Sequence, residues 1–160
     1  MKYILLFLPF SLFGQLSSSI NGGAMIYNNG DNTVNVGSWS NKEAVYQFNK
    51  IPNEIATYLG ARIGYLEEYD EQALNRANTI GAKAGVSDEV DYYAGFFMDY
   101  AWQRKHLMYG LEFQADLITI VKKLDFNMGW KLGMIDNTGF FNFNIGFKWQ
   151  MEKRTKSKNY

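Results

Sequence analysis

The chain has 160 residues, 47% hydrophobic and 17% aromatic, with 15 glycines, 2 prolines and no cysteine. That length fits one domain with a sizeable core, and 16 basic against 16 acidic residues leave no net field to attract nucleic acid. Without cysteine there is no disulfide scaffold, thiolate metal site or thiol nucleophile, and the single histidine, His106, excludes a multi-histidine metal site.

Met1-Lys2 precede an apolar run, Tyr3–Phe13, and then small and polar residues from Gly14 to Ser19. Charge, apolar core and small residues in that order predict a secretory signal peptide over residues 1–19, cleaved after Gly14 or within Ser17–Ser19. The run is shorter than the roughly 20 apolar residues of a spanning helix, and Pro9 weakens a helical reading further. No cysteine follows, so a lipoprotein anchor is excluded.

Beyond this leader the patterning is strand-like. Ile20–Tyr27 is read as an extra N-terminal strand, followed by the turn material Asn28–Asn32. Thr33–Ser40 and Ala44–Ile51 are read as short strands separated by a turn at Asn41-Lys42, with the alternative that two of the short upstream strands are one. Ile55–Tyr65 and Thr79–Val86 alternate apolar residues with Gly60, Arg62, Gly64, Gly81, Lys83 and Gly85. Between them, Glu67–Arg76 is read as the longest connection, with a composition that favours a short helix.

The second half is clearer. Asp91–Trp102, Leu107–Thr119, Leu124–Met134 and Phe141–Trp149 each keep one wholly apolar face; the opposite face carries glycine, amide and charge, mixed with the aromatics Tyr93 and Phe97 in the first of them. In the last strand Phe141, Phe143, Ile145, Phe147 and Trp149 oppose Asn142, Asn144, Gly146 and Lys148. A period of two over such lengths indicates strands, since a helix would scramble it. The turns Gln103–His106, Lys122-Lys123 and Asp136–Gly139 make the chain an antiparallel meander. Residues 20–150 are thus expected to form an all-β, up-and-down barrel of about eight strands, followed by a basic tail over 151–160.

Alternation alone does not say which face meets water. A secreted carrier barrel turns its apolar face in, whereas a membrane barrel turns it toward lipid. Glycine on the polar face, charges of both signs on it, and aromatics near strand ends favour the membrane barrel. A lumen network is therefore expected from Arg62, Lys83, Asp99, Glu112, Asp116, Asp125, Lys131 and Lys148. A lipid-facing surface with interfacial girdles is expected from Tyr65, Tyr92, Trp102, Tyr109, Phe126, Trp130, Phe141 and Trp149. Counting strands back from the last one puts the turns after Ile51, Val86 and Val121 at the same end as the C-terminus.

Asn144-Ile145-Gly146-Phe147-Lys148-Trp149-Gln150-Met151 resembles the C-terminal assembly signal of bacterial outer-membrane barrels, carried by Asn144, Gly146, Trp149 and Met151. With the leader and the alternating strands, the chain resembles small outer-membrane β-barrel proteins of the OmpX/OmpA-transmembrane type, particularly those of Bacteroidota. The resemblance implies outer-membrane localisation, with membrane lipids and the barrel-assembly machinery as partners. Ten residues follow the signal, a departure from chains that end near the aromatic.

Chemistry is sparse. His106 lies in a turn, and neither Ser38, Ser40 nor Ser87 can be paired with it as the nucleophile of a lipid-modifying enzyme. Glu112, Asp116 and Asp125 are read as a ladder with Lys131 and Lys148, not as a general-acid pair. Glu67, Glu68, Asp70 and Glu71 lack the spaced loop of a calcium site. The expectation is a non-enzymatic envelope barrel with a polar, side-chain-filled lumen, no cofactor and no metal. The rivals are a lipocalin-like carrier of a hydrophobic ligand, a lipid-modifying enzyme and a small pore.

Overall fold

The computed structural model describes residues 14–28, 34–48, 55–70, 73–88 and 92–151. The apolar run Tyr3–Phe13, the turn residues 29–32, Ile51 and the tail beyond Met151 lie outside them. Eight strands, β1 (Gly14–Asn28), β2 (Val34–Phe48), β3 (Ala56–Asp70), β4 (Ala73–Ser87), β5 (Tyr92–Ala101), β6 (His106–Val121), β7 (Leu124–Ile135) and β8 (Thr138–Gln150), follow in order. Each pairs antiparallel with its successor, and β1 pairs with β8 from Ser17↔Gln150 to Tyr27↔Phe140, closing the barrel. Closure leaves no edge strand: every strand has a paired neighbour on both sides. The connections β2–β3, β4–β5 and β6–β7 share one end with Gly14 and Gln150, hereafter the terminal end. The remaining turns form the opposite, turn end.

Three upstream expectations are corrected, and one downstream strand departs from strict alternation. Ile20–Tyr27 is no extra element: it belongs to the first barrel strand, which starts at Gly14 and not at residue 20, with Ser17 and Ser19 already buried. Thr33–Ser40 and Ala44–Ile51 are not separated by a turn at Asn41-Lys42; the ladder runs through both residues to β1 and β3. Asn41 and Glu43 point inward and Lys42 outward, so the alternation never breaks, and two-sided pairing outweighs the turn preference of Asn. Glu67–Arg76 is neither helix nor long connection. β3 and β4 stay paired up to Asp70↔Ala73, and Glu67 finds Arg76 directly across that ladder. Lastly, β6 shifts register against β7 between Asp116 and Ile118, and the bulge leaves Leu117 and Ile118 both exposed.

The two faces differ in kind. In β8 the inward residues Asn142, Asn144, Lys148 and Gln150 are buried, while Phe141, Phe143, Ile145, Phe147 and Trp149 are 40–49% exposed. The same inversion of an ordinary globular core holds around the barrel: Ile63 is 58% exposed and its neighbour Arg62 is 3% exposed.

Candidate functional site

The interior divides into three layers. Toward the turn end, Met25, Trp39, Leu66, Phe97, Met108 and Phe140 belong to one apolar cluster. Trp39, Phe97 and Phe140 meet edge-on or tilted, with ring centroids 5.6–6.0 Å apart. Sequence reading missed this cap, because the inward face looked polar when judged strand by strand.

Beneath the cap lies an ionic cluster. Arg62 Nε donates to Asp99 Oδ1 at 2.6 Å and Nη1 to Glu112 Oε2 at 2.8 Å, with Glu43 Oε1 3.7 Å away. Lys83 Nζ lies 2.6 Å from Glu43 Oε2 and 2.9 Å from Glu112 Oε1. These side chains come from β2, β3, β4, β5 and β6, so their bonds cross the interior instead of running along one hairpin. Arg62 also stacks on the aromatic cap, its Cζ 4.7 Å from the Phe97 centroid. Lys131 faces Glu112 in the strand register but rests its ammonium 4.0 Å above Trp39. With its amide turned to suit its neighbours, Asn41 accepts from Lys131 Nζ at 2.8 Å and donates to Glu43 Oε1 at 3.1 Å.

Toward the terminal end the third layer is amide- and hydroxyl-rich. Lys148 donates to Asp116 and to the Tyr93 hydroxyl. Asp125, its cross-strand neighbour, instead accepts from Thr119 Oγ1 at 2.7 Å and from Gln150 Nε2 at 2.5 Å. Arg62, Lys83, Asp99, Glu112 and Lys131 are thus brought together, while Asp116, Asp125 and Lys148 form a separate group. Glu43 joins the first group although sequence reading left it out; a turn assigned at Asn41-Lys42 hid its inward direction.

Glycine makes this packing fit. A methyl on Gly81 would lie 1.7 Å from Asp99 Oδ1, and methyls on Gly85 and Gly95 would lie 2.9 and 2.5 Å from the Tyr58 hydroxyl. The lumen would be too narrow for these side chains if its wall carried Cβ atoms there.

Of the aromatic positions, Tyr92, Trp102, Tyr109, Trp130, Phe141 and Trp149 are exposed, and Tyr65 and Phe126 are half-buried. Trp130 sits mid-strand, stacked on Phe113 at 4.2 Å, and Trp102 lies in the β5–β6 turn. Of the residues of the C-terminal motif, Asn144 and Gly146 face inward, Trp149 faces outward, and Met151 follows the strand with its amide bonded to the Leu16 carbonyl at 3.1 Å. His106 pairs with Asp136 across two turns, and no serine bonds to it among the described residues. Ser38 donates to Glu67 and Ser87 accepts from Gln47. Glu67 pairs with Arg76 and Glu68 with Arg104, whereas Glu71 lies outside the described residues. Among the described residues no cluster of three or more acidic or histidine side chains is arranged to hold a metal ion.

No protein-family model matches the chain, and no curated protein is significantly similar to it.

Proposed function

We propose that the protein is an integral β-barrel of the bacterial outer membrane, with a lumen filled by its own side chains and a structural or surface-interaction role in the envelope. The observation that carries this reading is the inverted burial, with Arg62, Lys83, Asp99 and Glu112 inside and Ile63, Phe96, Met98 and Phe147 outside. An apolar surface wrapped around a charged interior is stable where the surrounding solvent is hydrocarbon. Strands of 10 to 16 residues reach or exceed the length a tilted strand needs to cross it, roughly 9–11 residues. The leader and the C-terminal motif support export and handling by the barrel-assembly machinery. A carrier of hydrophobic ligands is less well supported, since a ligand would have to displace the ion pairs around Arg62 and Glu112. The aromatic cap above the ionic cluster supports a lumen closed to solutes larger than water or small ions.

Detergent-extracted protein should migrate faster on gels when unboiled than when boiled, and should show no unitary conductance in planar bilayers. Recovery of folded protein from the periplasm without detergent would overturn the membrane assignment. Uptake of a hydrophobic dye into the interior would favour the carrier.

A further inference from the structure

The outer face is not uniform around the barrel. Over β5–β8 it carries large side chains, among them Phe96, Met98, Leu111, Trp130 and Phe143. Over β1–β3 the mid-strand outward positions include Ser18, Ser40, Lys42, Ala44 and Ala61. A depression of about 540 Å³ opens there, with the cross-strand partners Ala44 and Ala61 among its lining and Ile20, Ile63 and Ile80 around them.

Lys42 also lines this depression, near the middle of β2, with Ile20 and Ile63 as its neighbours in the two ladders. It is exposed and has no ion pair or hydrogen bond among the described residues. Glu43 beside it is turned inward and held by Lys83. On the membrane reading proposed above, on which this inference rests, Lys42 faces hydrocarbon at mid-depth, one of the least favourable places for a cation. Half of a roughly 25 Å apolar band separates it from either headgroup layer, farther than a lysine stem can extend to reach a phosphate. Among the described residues no outward carboxylate lies at that depth: Glu67 is paired with Arg76 toward the turn end, and Asp88 and Asp136 sit at the ends of the barrel. The described residues of a second copy in the same orientation therefore bring no anion to Lys42.

We propose that the β1–β3 face docks another membrane-embedded protein, which seats a carboxylate against Lys42 within this depression. The charge calls for an anion at mid-depth, where only a protein side chain can place one, and low dielectric strengthens the pair. The small Ala44 and Ala61 let the partner's backbone approach closely enough to hold it.

The test uses the full chain in the cells that produce it, with a photo-crosslinking amino acid at Ser40 or, on the far wall, at Leu111. The Leu111 probe should label lipid. The Ser40 probe should label one protein, at a peptide within its membrane span and next to an Asp or Glu. That adduct should fall about tenfold or more in Lys42→Leu and persist in Lys42→Arg. Lys42→Glu should lose it, and exchange of the partner's carboxylate for Lys should restore it. Labelling of lipid alone at Ser40, an adduct with a second copy of the chain, or an adduct indifferent to Lys42→Leu would each overturn the proposal. If Leu111 labels no lipid, the membrane reading itself has failed and the docking face falls with it; lipid at Leu111 confines any failure to the docking face.

Discussion

Arg62 on β3 and Glu112 on β6 meet across the barrel at 2.8 Å, although their strands are separated by β4 and β5 around the wall. The pair is buried on both sides, and each member holds a further partner, Asp99 for Arg62 and Lys83 for Glu112. Such a cluster ties opposite walls together, so its parts fail together. Arg62→Met should lower unfolding free energy by about 3–5 kcal/mol, because it strands buried carboxylates. The double variant Arg62→Met with Glu112→Gln should lose less than the sum of the singles, by about 0.5–3 kcal/mol. Urea titrations followed by tryptophan fluorescence in lipid vesicles measure both, and strict additivity would show that the two residues do not act as a unit.

The glycine opposite Asp99 sets a second test. Gly81→Ala forces a methyl into the Asp99 carboxylate and the Met98 carbonyl, an overpacking expected to cost about 1–3 kcal/mol. Gly139→Ala provides the control, since nothing lies within 4 Å of the added methyl. Equal effects of the two substitutions in the same titration would remove the steric argument.

How far these features were legible depends on whether a local signal or a cross-barrel contact determines them. The alternation from Phe141 to Trp149 specifies β8 and its faces by itself, because the strand period is two and no residue interrupts it. Glu67–Arg76 misled for a physical reason: Glu, Gln, Ala and Leu favour helix locally, yet the β3–β4 ladder pairs Glu67 with Arg76 directly across the strands. Of the carboxylates in the ladder expected around Lys131 and Lys148, Lys148 takes Asp116 and not its register neighbour Asp125. Asp125 is already occupied by Thr119, its register partner on β6, and by Gln150 on β8. In the aromatic cap, Met25 and Trp39 share the β1–β2 hairpin, while Phe140 becomes their neighbour only when β8 closes on β1.

That cap yields a third expectation. Phe140 is 4% exposed and packs against both Trp39 and Phe97, so Phe140→Ala should destabilise the barrel by about 3–5 kcal/mol. The ionic layer below remains in place, so the variant should still show no unitary conductance in planar bilayers. Channel openings in Phe140→Ala would instead assign the seal to the aromatic layer alone.

Lys42 gives the last prediction, and its sign is opposite to the others. In vesicles that contain no other protein, nothing supplies the carboxylate proposed above, and on the membrane reading the ammonium, with Ile20 and Ile63 as ladder neighbours, faces hydrocarbon. Replacing it by an apolar residue removes that penalty without touching the interior, since Asn41 and Glu43 keep their inward positions. Lys42→Leu should therefore raise unfolding free energy by up to about 2–4 kcal/mol, the range for a lysine at the bilayer midplane. The same substitution should be neutral within about 0.5 kcal/mol if the residue faces water, as surface changes usually are. Urea titration in phosphatidylcholine vesicles separates the two, and a loss of stability in Lys42→Leu would contradict a lipid-facing position for β2.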